Sequence, residues 1–267
     1  MKIEHDFTPY DYGNAPFWHP ERKELRFRPL KALHHFRELI KDKEDTEQVF
    51  HIFEALPRRD YREEAKAFVE SDKGQQLMDS EAYLPDLLDD HERLRTFPEG
   101  SLAHAYCDFM EKEGLSAAGL VEEYDRFEKR KLGDQIEWYS NRQRDTHDLL
   151  HVLTGYGRDA LGEQCVLAFT YGQSPAFAHL FIAYAGAYNM KKTVKTDAPV
   201  FKAVNQARRQ GHLCPRITDG AIMDLLAMPL EEAREKLNIT PPTQYHEAHH
   251  RFHAEGIDPY DLLAEAA

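Results

Sequence analysis

Two histidines, His147 and His151, stand four residues apart with Asp148 beside the first, and Glu163 follows twelve residues after the second. An α-helix turns by about 100° per residue, so side chains at i and i+4 lie about 40° apart on one face. The two imidazoles can therefore converge. Asp148 sits about 100° round from His147, at the edge of that face. Gly155 and Gly157 are natural helix stops, and Asp159 is placed to start a second helix with Glu163 on its first turns. A helix hairpin of this kind aims His147, Asp148, His151 and Glu163 at one point. Their nitrogens and oxygens suit a divalent zinc, iron, cobalt or manganese ion. The plainer reading is a pair of polar residues at a buried edge, and the two carboxylates weigh against it. Arg142 and Arg144, just upstream, have the fork geometry that pairs with a carboxylate. They could equally pair on the surface with Asp145 or Glu137.

The elements that must position these groups read as helices throughout. Apolar residues recur at three and four over 30–41, through Leu30, Leu33, Phe36, Leu39 and Ile40. Asp45 and Thr46 can cap a helix that runs to Pro57, and 60–70 predicts another. Ser101 reads as the N-cap of a helix ended by Gly114. Residues 116–130 predict a charged helix, 134–154 the histidine helix, and 159–173 with 175–190 an apolar pair joined at Pro175. Further helices are expected over 200–210, with Gly211 as C-cap, over 215–228 and over 230–237. No run alternates with period two between hairpin turns, so little or no strand is expected. The expected fold class is all-α: a single-domain multi-helix bundle with the metal motif on a helix hairpin. The expected organisation is an N-terminal arm over 1–29, a helical domain over 30–243 and a His-rich extension over 244–267.

The chain has 267 residues, 42% of them hydrophobic and 30% charged, which fits a soluble globular domain with a full core. A net charge of −13 argues against nucleic acid as a partner and against simple attraction to anionic lipid. Cys107, Cys165 and Cys214 share no metal-binding spacing and read as reduced, buried thiols. The residues from Met1 to Phe7 lack an apolar signal region and are acidic too early for a transit peptide, so the expected location is cytoplasmic. Gln164 to Met190 holds no Asp, Glu, Lys or Arg and is long enough to span a bilayer. Pro175 interrupts it, and a buried helical pair is the expected reading.

A second cluster lies in the tail. His246, Glu247 and His250 match the H-E-x-x-H pattern of zinc peptidases, with His249 and His253 nearby. The third ligand of that class is not at its required place. The tail is read instead as a solvated helix whose histidines can take up stray metal.

The string His147, Asp148, His151, then Gly162 and Glu163, resembles the signature of the fourth Coq protein family of coenzyme Q (ubiquinone) biosynthesis, in its bacterial type. The similarity runs over about 30–243. It includes Asp45-Thr46-Glu47, the Ser71 to Gly74 turn, Pro98 to Leu102 with Tyr106, Arg142, Arg144 and Asp145 ahead of His147, and Leu237 to Pro242. Two features depart from the family: Phe169 to Tyr171 stands where an aromatic-glutamate pair is usual, and the segment Ala203 to Ala207 lacks a Trp. The resemblance implies a late step of ubiquinone assembly, metal-dependent and in one version oxidative decarboxylation of a polyprenylated hydroxybenzoate ring. It further implies other ubiquinone-biosynthesis enzymes as partners and a peripheral position on the inner face of the cell membrane. A homodimer is compatible with it. The alternative is a non-catalytic, lipid-binding organiser of the biosynthetic complex.

Overall fold

The computed structural model describes residues 11–42, 45–128 and 131–262. The first ten residues of the expected arm, with the Met1–Phe7 stretch, lie outside the described residues. So do the last two of the helix expected at 116–130 and the last five of the extension. The chain forms α1 (Pro29–Leu39), α2 (Thr46–Ala55), α3 (Tyr61–Val69), α4 (Asp72–Ser80), α5 (Leu84–Leu88) and α6 (His91–Leu94). There follow α7 (Leu102–Glu113), α8 (Ala117–Phe127), α9 (Gln135–Asp145), α10 (His147–Thr154), α11 (Ala160–Gln173) and α12 (Phe177–Thr193). The last are α13 (Val200–Leu213), α14 (Ile222–Leu226), α15 (Leu230–Lys236) and α16 (Thr243–Ala254). Among the described residues the only β feature is an isolated antiparallel bridge between Ser101 and Pro229. The expected all-α class is what the chain adopts.

The central layer is α11 against α13. Leu161, Val166 and Phe169 are fully buried on α11, and Ala203, Val204 and Ala207 on α13. Burying a side chain of the first kind stabilises by about 1.5–3 kcal/mol, so this pair is the anchor of the core. Helices α7, α10 and α16 pack around it in the same cluster. A second cluster joins α3, α4 and α9 through Val69, Met78, Trp138 and Tyr139, and a third joins α1, α2 and α12 through Phe36, Ile52 and Ile182. The charge-free stretch becomes α11 and α12, and among the described residues no helix is long and apolar enough to cross a membrane.

Several local expectations are corrected. The helix expected over 134–154 is two helices, broken at Thr146 with φ −88° and ψ 1°. The Thr146 hydroxyl donates back to the Arg142 and Gln143 carbonyls at 3.1 and 3.2 Å, a bond that bends helices. Gly211 is no C-cap, because α13 runs on to Leu213. Its missing side chain serves packing instead: a Cβ there would lie 2.0 Å from the Phe169 carbonyl oxygen of α11. Asp45 occupies the N-cap position of α2 but its side chain makes no cap bond. The 215–228 segment is a 3-10 turn (Ile217–Asp219) and the short α14. The tail helix α16 is solvated on one face only; Tyr245, Ala248 and Phe252 are buried against the core.

Candidate metal centre

Helix α10 carries His147 and His151, and α11 carries Glu163 one turn from its start. Gly155 ends α10 in the left-handed region, at φ +75°, where a residue without Cβ is favoured. Asp159 caps α11 by accepting from the Leu161 and Gly162 amides at 3.0 and 3.2 Å. Arg234 of α15 donates to the Val152 and Leu153 carbonyls, both at 2.9 Å, satisfying the open end of α10. The hairpin read from the sequence is thus built, and both of its ends are tied.

Three of the four expected ligands meet. Nε2 of His147 and Nε2 of His151 are 3.4 Å apart. Glu163 brings Oε2 to 3.5 Å from the first and Oε1 to 3.5 Å from the second. An ion bonded at about 2.0–2.1 Å to tetrahedrally arranged ligands sets them about 3.3–3.4 Å apart; the two ring nitrogens have that spacing, and each carboxylate oxygen approaches one of them. Asp148 is not brought into this group; about 100° round the helix from His147, it stands at the edge of the histidine face. It acts on His151 through space.

Burial of the three groups is graded. The His151 side chain is fully enclosed, while His147 keeps 29% and Glu163 24% of their side chains open. The group is thus closed on the His151 side and partly open to solvent at His147 and Glu163. The ring of Phe109 stacks on His151 with centroids 5.6 Å apart. Nδ1 of His151 lies 3.0 Å from the Tyr156 carbonyl oxygen. A carbonyl only accepts, so Nδ1 carries the hydrogen and Nε2 faces the site, the usual outer support of a metal-binding imidazole. Burial alone would raise the Glu163 carboxyl. The two imidazoles, His151 foremost, instead hold it well below the usual carboxylate range. Burial alone would likewise lower His151, and the Glu163 charge overrides it and raises the ring's pKa.

The two arginines read from the sequence are occupied elsewhere. Arg142 is buried, pairs with Glu81 at 2.7 Å and donates to the Thr218 and Gly220 carbonyls. Arg144 pairs with Asp145 at 2.7 Å and lies over the Tyr124 ring at 5.0 Å. Neither is brought to the histidines, because α9 ends before α10 begins and its basic residues turn to other neighbours. The cation at the site is Arg158, whose Nε is 3.8 Å from Glu163 Oε1. Its signal in the sequence was its place on the loop between the two ligand helices. The tail residues His246, Glu247, His249, His250 and His253 form no second three-ligand group among the described residues.

This fold and site define a helical protein with a two-histidine, one-carboxylate centre on a hairpin. The sequence model of the Coq4 family, described as coenzyme Q (ubiquinone) biosynthesis protein Coq4, matches residues 42–243. The chain belongs to the Coq4 family. The mitochondrial ubiquinone biosynthesis protein COQ4 homolog of Mus musculus is 26% identical over 157 residues, 58% of this chain and 56% of its own length. COQ4 homolog 2 of Culex quinquefasciatus is 30% identical over 97 residues, covering 36% of this chain and 41% of the relative. The matches thus span about half the length of these relatives or less. A crystal structure of a protein from Nostoc punctiforme PCC 73102, provisionally assigned to ubiquinone biosynthesis, superposes with a TM-score of 0.59 at 19% identity. It covers 80% of this chain and all of that one, and so shares the fold.

Proposed function

We propose that the chain acts in ubiquinone biosynthesis as a metal-dependent decarboxylase of a polyprenylated hydroxybenzoate ring. The observation that carries this is the ion-sized, partly open triangle of His147, His151 and Glu163 in a member of the Coq4 family. Two neutral imidazoles and one carboxylate leave a divalent zinc, iron, cobalt or manganese ion with net positive charge, matched to an anionic substrate. A bound ion would supply Lewis-acid stabilisation of the charge that develops as the ring C–C bond to the carboxylate breaks. The chain's own residues do the rest. His151, held through the Tyr156 carbonyl, fixes the nitrogen that faces the site. Arg158, at the open side, orients the substrate carboxylate by charge-assisted hydrogen bonds. Phe109 shields the rear of the site from water. Carbon dioxide leaves with the bond broken. The electron pair left on the ring carbon is taken up by a proton from water. In the oxidative version one atom of dioxygen goes to that carbon and the other leaves as water, with two electrons from an external reductant, and two histidines and one carboxylate would suit a bound iron ion to that chemistry.

A membrane surface as the source of the prenylated substrate is supported by a second feature. Leu25, Phe27, Leu30, Leu33 and Phe177 are exposed, with the rings of Phe27 and Phe177 at 6.3 Å. Lys23, Arg26 and Arg37 stand in the same stretch of an otherwise acidic chain, the pattern of an interfacial contact. Peripheral docking of this face is part of the same reading.

The test is release of labelled carbon dioxide from a carboxyl-labelled prenylated hydroxybenzoate by protein loaded with each metal, with and without dioxygen. Release that is lost in His151→Ala and kept in a His246→Ala, His250→Ala variant supports the enzyme. No release under any of these conditions, with lipid and partner enzymes still bound, supports the organiser instead.

A further inference from the structure

We infer that the C-terminal helix α16 is a positioning element of the candidate metal centre, acting through the Tyr245 hydroxyl on the loop that joins the two ligand helices. This rests on the metal reading above and extends it past the segment matched by the family, which stops at residue 243.

Loop 155–159 does two jobs for the site. Its Tyr156 carbonyl holds Nδ1 of His151, and its Asp159 caps the helix that carries Glu163. Between these points the Gly157 carbonyl lies close on α11 at Gly162. Tyr245 supplies a clamp. Its hydroxyl accepts from the Gly157 amide at 3.0 Å and donates to Asp159 Oδ2. One oxygen thus ties the residue after Tyr156 to the cap of α11. The Tyr245 ring also meets the Tyr156 ring edge-on, with centroids 5.3 Å apart. Burial, followed by the charge of Asp159, raises the Tyr245 pKa far above the usual tyrosine range, so the proton stays on the phenol.

The approach is close because residue 157 is glycine: a Cβ there would lie 2.9 Å from the Tyr245 hydroxyl oxygen. Asp159 is fully buried. His249, one turn along α16, brings Nε2 to 3.2 Å from Asp159 Oδ1, outside hydrogen-bond geometry. His249 therefore faces the cap, while the tyrosine makes the bonds. Tyr245→Phe keeps the buried ring and leaves the Gly157 amide and Asp159 Oδ2 each short of a partner.

The experiment compares the full chain with Tyr245→Phe and with Phe252→Leu, which loosens the same helix at a fully buried ring away from the loop. Thermal unfolding of the metal-free proteins sets the general loss of stability. Cobalt(II) titration, read from its visible absorption, gives affinity. Proton NMR gives the exchange rate of the His151 Nδ1 hydrogen in the metal-free protein. Tyr245→Phe should weaken cobalt binding by about tenfold or more, the range for outer supports of metal ligands, and speed exchange at Nδ1. Phe252→Leu, at comparable loss of thermal stability, should do neither. Equal affinity and equal exchange in Tyr245→Phe and the parent overturn the inference, as do parallel losses in both variants. If the parent binds no stoichiometric cobalt, the metal reading fails, and the Nδ1 exchange rate still decides whether Tyr245 positions His151.

Discussion

Replacing Gly162 by alanine adds one carbon beside Glu163 at a contact with no room for it. The new Cβ would lie 1.8 Å from the Gly157 carbonyl oxygen, 2.7 Å from its carbon and 3.0 Å from Asp159 Oδ2. Contacts below 3.0 Å do not persist, so the loop and α11 must part by more than an ångström, since 3.0 − 1.8 = 1.2. Three terms decide the outcome. Alanine in place of glycine favours the helix by about 1 kcal/mol. Overpacking against backbone costs about 1–3 kcal/mol. Disturbing the Asp159 cap, whose bonds reach the Gly162 amide itself, costs about 0.5–2 kcal/mol more. The balance is a loss of about 0.5–4 kcal/mol, and the side-chain gain cannot reverse it because the obstruction is main chain. Moving the loop also moves the Tyr156 carbonyl off His151. Urea unfolding of the metal-free variant should show the loss, and cobalt titration a weaker site. An alanine variant as stable as the parent, with unchanged affinity, would refute the packing argument.

Other changes separate structure from chemistry. Arg142→Leu leaves the Glu81 carboxylate buried and unpaired, so unfolding free energy should drop by about 3–5 kcal/mol; an exposed, dispensable arginine would show almost no change in the same measurement. Arg158→Gln should raise KM for a carboxylate-bearing substrate with little effect on the melting temperature, whereas an effect on melting alone would remove Arg158 from the site. Metal analysis of His151→Ala should find no stoichiometric ion, and the double tail variant His246→Ala, His250→Ala should keep it; the reverse pattern would relocate the site to the tail. His179 supplies a pH prediction. Burial, then the nearby His147, pushes its pKa down to about 3, against about 6.5 in an unfolded chain. Its contribution is intact above pH 6.5 and declines as pH falls toward 3, by up to about 2 kcal/mol at pH 5. Denaturation at pH 8 and pH 5 should show this decline in the parent and not in His179→Gln, and equal slopes in the two would count against it.

The ligand hairpin was legible in the sequence because its determinants are local. Helical period puts His147 and His151 on one face, Gly155 needs the left-handed region to end α10, and Asp159 caps α11 within three residues. The same local period gave the apolar pair α11 and α12, and the absence of alternation gave the all-α class. What the sequence left open depends on partners distant in the chain. Gly211 reads as a helix stop until α11 is laid across it, when the Phe169 carbonyl shows why no side chain fits. Arg142 carries the right group, but Glu81, 61 residues before it, claims it. Arg158 becomes the cation of the site only once the loop folds back on Glu163. Tyr245, 86 residues from Asp159, reads as one more tail aromatic until α16 docks. Periodicity and capping act over one or two turns, so sequence alone can place ligands on helices. Which charges are spent in pairs, and which backbone atoms stand in the way, is decided only when the helices meet.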